Sequence, residues 1–214
     1  MTNRDKQRIL ANTREMLSMA HAGLADAKSP GPRRRRPGLM NLFTYGRSVT
    51  MAMQTMKHTD PAFEAWWQPY QAMMKSDPLM QYFNKTRTEI MHEGELTTVN
   101  YTVIGAEGPV NMGEVFAELS KHAPPNTVAT FLGDQLGGNG WEVRMPDGST
   151  EHVYFQLPGD VDIESGLQLH HPPDQHDGKP ITDNSIATIG GLYVATLDRI
   201  VDEFVTRFSE DGQL

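Results

Sequence analysis

The sequence predicts an α+β fold, with a helical bundle of four to five helices and a small inserted antiparallel β section. Long segments at both ends of the chain place apolar residues every three or four positions, which is typical of amphipathic helices. The middle of the chain instead carries β-branched runs and a Pro-Asp-Gly-Ser sequence, which favour short strands joined by turns. The 214 residues are also enough to bury a core without disulfides.

The N-terminal part of the chain predicts two helices separated by a loop. Residues 3–27 are rich in helix formers, whereas residues 28–38 place prolines and glycines on both sides of four arginines. We therefore expect an exposed irregular loop there and a second helix over 39–57. The candidate core residues of these two helices are Ile9, Leu10, Met16, Leu17, Met19, Ala20, Leu39, Leu42, Phe43, Val49, Met53 and Met56.

Two Asp-Pro pairs predict the starts of the third and fourth helices. An aspartate can accept a hydrogen bond from the first turn, and proline loses nothing at the first helical position. Asp60-Pro61 begins one helix, which Pro69 should kink or shorten. Asp77-Pro78 begins the next, which should end near His92 with Gly94 as its stop. Its expected inward positions are Leu79, Met80, Phe83, Arg87, Ile90 and Met91.

The middle section predicts a small, mostly antiparallel sheet. Strands are expected at 97–104, 128–132, 141–145 and 151–157, and a short helix at 112–122. Residues 146–149 predict a hairpin turn. The glycine-rich stretch 133–140 lacks the Gly-Lys-Ser/Thr of a phosphate-binding loop, and we interpret it as a mobile turn between strands.

The C-terminal part predicts a polar connection and one long helix. Residues 158–181 are polar and proline-rich, and a helix from residue 182 or 183 to 208 should pack back on the N-terminal helices. Its apolar positions are Ile186, Ile189, Tyr193, Leu197, Ile200, Val201, Phe204 and Phe208. The expected division is a helical part at 1–95, a β-rich insertion at 96–160, a loop at 161–181 and a final helix at 182–214, all in one overall domain.

Composition limits the classes of function. The chain has no cysteine, which excludes thiol nucleophiles and cysteine metal sites, and its net charge of -8 disfavours a broad nucleic-acid footprint. No apolar run approaches the roughly 20 residues that cross a bilayer, and the first residues lack a secretory apolar segment. We therefore expect a cytoplasmic protein without membrane contact.

The fourth helix carries the strongest candidate for a catalytic site. The segment Arg87-Thr88-Glu89-Ile90-Met91-His92 resembles the R-x4-6-H signature of the HEPN superfamily of small helical ribonucleases and interaction modules. The resemblance implies a metal-independent ribonuclease of a defence or toxin system, built by two protomers. Arg87 would then hold the scissile phosphate and His92 would transfer protons, while Lys85, Thr88 and Arg47 are candidate substrate-binding residues.

A structural role for the same residues competes with this interpretation. A five-residue step on a helix turns the two side chains roughly 140° apart, so they converge only through the reach of the arginine, an unwound last turn or a second protomer. Arg87 would otherwise pair with a carboxylate and His92 would lie near the negative end of the helix dipole. The chain would then be a non-catalytic interaction or regulatory module, which is the function we favour.

Two polar segments supply the remaining hypotheses. His170, His171, Asp174, His176 and Asp177 could bind a divalent metal, but the surrounding prolines and glycine favour an exposed loop, and we assign no metal or cofactor. Arg33–Arg36 could contact RNA or an acidic protein partner.

Three further stretches resemble segments of an uncharacterised bacterial helical family, and that resemblance implies no activity. These stretches are 47–50, 77–80 and 178–183. A homodimer through helix faces is expected.

Overall fold

The computed structural model describes residues 3–94, 96–105, 109–155 and 163–209. In chain order, the elements of these residues are α1 (Asn3–Ala27), α2 (Pro32–Gln54), a 3-10 turn (Thr55–His58), α3 (Phe63–Ser76), α4 (Pro78–Glu93), β1 (Thr98–Ile104), α5 (Met112–Lys121), β2 (Thr127–Leu132), β3 (Asn139–Arg144), β4 (Thr150–Tyr154), β5 (Ile163–Leu169), β6 (Gln175–His176), β7 (Lys179–Pro180) and α6 (Ile186–Phe208). The α+β class predicted from the sequence is confirmed.

The chain divides into two compact units. A helical unit contains Met1–Ser29, Arg34–Thr97 and Leu169–Leu214, and a β-rich unit contains Pro30–Arg33 and Thr98–Gln168. None of the helices in the described ranges combines the length and apolar composition needed to cross a membrane.

The first two helices approach each other closely because glycine stands at two contact points. A Cβ on Gly38 would lie 2.4 Å from the backbone nitrogen of Ala27, and one on Gly23 would lie 2.6 Å from that of Leu42. Since backbone atoms cannot move aside as a flexible side chain can, the packing of α1 on α2 depends on these positions staying free of side chains.

The predicted core is confirmed in α2 and α6, where every candidate core position is buried. It is wrong at Met19 and Met91, which are 42% and 56% exposed. In α4 the buried stripe runs through Phe83, Thr86 and Ile90. Arg87, expected on that stripe, lies beside it and is half-buried.

The two Asp-Pro signals differ in outcome. Asp77 is the N-cap of α4 and its side chain accepts from the N–H of Met80 at 3.0 Å, as predicted. Asp60 instead forms a separate turn, with its side chain accepting from Ala62 and its carbonyl from Phe63, so α3 begins at Phe63.

α3 continues past Pro69 to Ser76, so the predicted shortening of this helix is wrong. Pro69 is exposed. Water can therefore solvate the carbonyl that the proline leaves without a helical partner, which reduces the cost of keeping it inside the helix.

The expected loop around the four arginines is wrong, because α2 already begins at Pro32 and contains Arg33–Arg36 and Pro37. Proline suits the first helical position, and each arginine side chain has a partner in the fold. Arg33 donates to the His152 carbonyl at 3.3 Å, Arg34 pairs with Asp26, Arg35 donates to the Ser29 carbonyl at 2.9 Å, and Arg36 donates to the Leu96 carbonyl at 3.0 Å.

The β-rich unit contains the antiparallel sheet β2-β3-β4 and the pair β1-β5. The hairpin at 146–149 is confirmed: the Met145 N–H donates to the Ser149 carbonyl at 2.8 Å, and Gly148 has a φ of 86°. A turn does join β2 to β3, as predicted, and within it Asp134 Oδ1 accepts from the N–H groups of Leu136 and Gly138.

The stretch expected to be only a polar connection also contains regular structure. It contains β5 and the short β6-β7 hairpin. These strands were not predicted because their apolar residues alternate only weakly along the sequence. Residues 156–157 of the predicted fourth strand, and 158–162 of the predicted connection, lie outside the described residues.

Candidate functional site

The structure does not bring Arg87 and His92 together on one surface of α4. The helix is continuous from Pro78 to Glu93, so the two side chains remain roughly 140° apart. His92 is exposed, whereas Arg87 is half-buried and its Nε atom has no hydrogen-bond partner among the residues that the structure describes. No carboxylate among the described residues lies within ion-pair distance of Arg87, so the predicted pairing of this arginine is not found there.

The two candidate substrate-binding residues beside Arg87 have local roles. Lys85 is 79% exposed and lies 3.7 Å from Glu89 one turn later. The Thr88 hydroxyl donates to the carbonyl of Asn84 at 2.9 Å, which is a common contact inside a helix. Neither arrangement indicates a shared site with His92.

Arg47, the remaining candidate, lines a groove of about 340 Å³ in the helical unit. Side chains from α2, α3, α4 and α6 form its walls. The lining includes Arg47, Gln54, Trp67, Lys75, Asn84 and Tyr193, and the described lining residues contain no Asp or Glu. The described lining of the groove therefore carries two cations and no carboxylate, in a chain whose net charge is -8.

Two buried aromatic residues line this groove. Tyr193 is 4% exposed, its ring stacks on Phe83 with 3.7 Å between centroids, and its hydroxyl makes no hydrogen bond to a described residue. Burial raises the pKa of Tyr193, and the positive charge of Arg47 opposes part of that rise. Trp67 is also 4% exposed, and its indole N–H has no partner among the described residues.

A second polar cluster joins α4, β6 and α6. His176 Nδ1 lies 3.1 Å from the Asp77 carboxylate, and His176 Nε2 lies 3.0 Å from the Thr196 hydroxyl. That hydroxyl also donates to the carbonyl of Leu192. Both ring nitrogens of His176 therefore have a hydrogen-bond partner.

Asp77 receives more hydrogen bonds than a helix cap needs. Burial by itself would raise its pKa, but the N–H groups of Asp177 and Met80 and the side chain of His176 outweigh that effect and lower it. The Asp177 N–H lies 2.8 Å from Asp77 Oδ2. Because Thr196 is buried and its proton is engaged, the cluster is suited to holding three elements together and not to nucleophilic attack.

The metal hypothesis for residues 170–177 is not supported by this geometry. His176 is committed to Asp77 and Thr196, and the rings of His170 and His171 pack on each other with 3.9 Å between centroids. In the ranges that the structure describes, no three His, Asp or Glu side chains are grouped to hold a metal ion.

The sequence interpretation missed most of the groove. The sequence interpretation assigns no role to Lys75 or Trp67, and it predicts Tyr193 as an apolar position of the last helix. The available signal was a polar tip on an apolar helix face, which at Tyr193 needs a partner or a ligand when buried. These side chains are brought together by the packing of helices that are distant in the sequence. The spacing of residues along the chain does not indicate which helices pack on one another.

Comparisons with known proteins give one similarity. Residues 25–125, slightly under half of the chain, match the model of the family described as bacteriophage lambda protein ea47. The match runs from the end of α1 to just beyond α5 and includes Arg47 and Lys75. No curated protein and no solved structure matches the chain.

The similarity supports an uncharacterised, phage-associated family. This statement is less specific than the bacterial helical family expected from the sequence. The family description names no activity, and nothing in the comparisons indicates the HEPN superfamily.

Proposed function

We propose that this chain is a non-catalytic, phage-associated binding module that holds a small ligand in the groove of its helical unit. The observation that carries the proposal is the groove itself, about 340 Å³ in volume and lined by side chains from four helices. Small-molecule sites have volumes of roughly 300–1,000 Å³ and combine apolar walls with a few placed polar groups. The groove fits the lower end of that range.

The connection between the groove and the Asp77 cluster supports a regulatory use of such binding. Met80 and Gln81 line the groove in the first turn of α4, and Asp77 caps the same turn. Asp77 in turn binds His176 of the β6-β7 hairpin. A ligand that orders the start of α4 therefore also stabilises the position of this hairpin.

The geometry gives no comparable support for the ribonuclease alternative. A general acid or base must reach the reacting atoms together with the group that holds the phosphate. His92 is exposed and Arg87 is half-buried on a different side of the helix, and neither lines the groove.

The location and assembly that we propose follow the sequence expectations: a cytoplasmic homodimer formed through helix faces. Met19, Met51 and Met91 are 42%, 50% and 56% exposed on helices of this unit, and exposed methionines adapt well to a partner surface. Light scattering coupled to size exclusion should give twice the chain mass of 23.9 kDa. The mass of a single chain would contradict the dimer.

A blocking substitution tests the binding function. Gln71 lines the groove and lies on α3, as does the exposed Gln68, which does not line it. We expect compounds from a library of neutral and charged small molecules to raise the melting temperature of the wild type and of Gln68→Trp. The same compounds should have no effect on Gln71→Trp, whose indole fills the groove. Equal responses of the two variants, or no response of the wild type, would contradict the proposal.

A further inference from the structure

We propose that the ligand of this groove carries an oxyanion, a phosphate or a carboxylate group, held by Arg47, Lys75 and Tyr193. This inference rests on the proposed binding function and specifies its ligand. It starts from charge: Arg47 and Lys75 line the groove, and the described lining residues include no carboxylate. Neither cation lies within ion-pair distance of a carboxylate elsewhere in the described residues.

The groove also has donors that the described residues do not use. Arg47 Nη1 donates to the Thr50 hydroxyl at 2.7 Å, which occupies one of the five N–H groups of a guanidinium. The Tyr193 hydroxyl has no partner among the described residues, although only 4% of the residue is exposed. Trp67 lines the same groove, but its indole N–H is fully buried and is not counted as a donor to the ligand. An anion in the groove would use the free N–H groups of Arg47 and the Tyr193 hydroxyl.

Gly46 explains how Tyr193 comes to stand beside Arg47. A Cβ on Gly46 would lie 2.4 Å from the Tyr193 ring and 2.7 Å from its hydroxyl oxygen. The absence of a side chain therefore allows the phenol of α6 to lie against the backbone of α2, one residue before Arg47. Lys75 comes from a third helix, so the donors are fixed on rigid elements.

Side-chain amides in the groove indicate which chemical groups the rest of the ligand would carry. Gln54 and Gln81 donate through Nε2 to the carbonyls of Thr50 and Lys75, at 3.1 and 2.8 Å. Their side-chain oxygens make no hydrogen bond to a described residue and are available as acceptors. A ligand with an anionic group and a neutral body that donates hydrogen bonds fits this set.

The test measures melting temperature with inorganic phosphate and with citrate, each against sodium chloride at equal ionic strength. We expect phosphate, citrate or both to raise the melting temperature beyond the salt control, and the stronger response identifies the preferred oxyanion. The apparent affinity should fall about tenfold or more in Arg47→Gln and in Lys75→Met, because a charge-assisted hydrogen bond is lost. Tyr193→Phe keeps the ring and should lose a smaller, few-fold amount.

Matched controls separate the groove from general charge effects. Arg14→Gln and Lys57→Met remove the same charges at exposed positions outside the groove and should leave the response unchanged. Arg47→Lys should recover part of the affinity. A response equal to that of sodium chloride, or one insensitive to Arg47→Gln, would overturn the inference.

Failure of the oxyanion inference can be distinguished from failure of the proposed binding function. Neutral compounds that bind the wild type but not Gln71→Trp, without any oxyanion response, would overturn the oxyanion and leave the binding function standing. RNA binding that depends on Arg47 without a phosphate response would also overturn it, in favour of a macromolecular ligand.

Discussion

His176 Nδ1 lies 3.1 Å from both carboxylate oxygens of Asp77, 99 residues away in the sequence. This contact binds the β6-β7 hairpin to the first turn of α4. The same carboxylate accepts from the N–H groups of Met80 and Asp177, so one side chain both caps a helix and holds a loop.

Loss of Asp77 should strongly destabilise the helical unit. Asp77→Ala removes the helix cap and leaves His176 without its carboxylate, so we expect a loss of about 2–4 kcal/mol in the free energy of unfolding. Asp77→Asn keeps an acceptor for the cap and should lose roughly half as much. Urea unfolding followed by the fluorescence of Trp66 and Trp67 measures both values. The exposed Asp202→Ala is the control, and an equal effect of that variant would contradict the assignment.

The stability of the wild type should depend on the charge of Asp77 at acid pH. Its pKa in the folded state lies below the ordinary value of 3.8, so its contribution is fully present above the unfolded pKa. That contribution is lost as the pH falls from about 5 through the folded pKa, because the unfolded chain binds the proton more readily. Unfolding measured between pH 3 and 7 should show a shallower acid loss for Asp77→Asn than for the wild type. Identical slopes would show that Asp77 has no such role.

Two glycines on helices should respond in opposite directions to alanine. Gly38→Ala places a Cβ 2.4 Å from the Ala27 backbone and should cost about 1–3 kcal/mol through overpacking. Gly191→Ala meets no atom within 4 Å and should stabilise α6 by about 0.5–1 kcal/mol, because alanine favours the helix. Thermal unfolding of both variants checks the prediction, and a stable Gly38→Ala would show that α1 and α2 can move apart.

The sequence predicted most of the helical unit because its signals are local. The apolar spacing of α6, the core positions of α2 and the cap at Asp77 each depend on residues within a few positions of one another, and each is confirmed. The prediction of a loop around Arg33–Arg36 was wrong because it relied on the density of proline and glycine, although the segment is helical. The partners that hold Arg34 and Arg36, at Asp26 and the Leu96 carbonyl, come from other parts of the fold.

The candidate site was predictable only in part, because its residues come from helices that are distant in the sequence. Arg47 was selected from the sequence, but Lys75 and Tyr193 join it through the packing of α3 and α6 on α2. The Arg87 motif, by contrast, is fully visible in the sequence, and the helix that forms there turns its two members apart.

Arg87 should be replaceable by an apolar residue at little cost. Its Nε is buried without a partner in the described part of the chain, so Arg87→Met removes a donor that is unsatisfied there and keeps the aliphatic stem. We expect the free energy of unfolding to change by less than about 1 kcal/mol, or to rise slightly. Lys85→Met, at an exposed position on the same helix, is the control. A loss above about 2 kcal/mol, found only for Arg87→Met, would indicate a partner that stabilises the guanidinium.

RNA cleavage in EDTA gives the decisive test between a binding module and a ribonuclease. Arg87 and His92 lie roughly 140° apart on a continuous helix, which disfavours a phosphate contact shared by both. We expect the wild type, Arg87→Ala and His92→Ala to release no products with 2′,3′-cyclic phosphate ends above the level of buffer. The exposed His58→Ala serves as a matched control for loss of a histidine. Cleavage by the wild type and by His58→Ala that disappears in both Arg87→Ala and His92→Ala would establish catalysis, and would require a second protomer to complete the site.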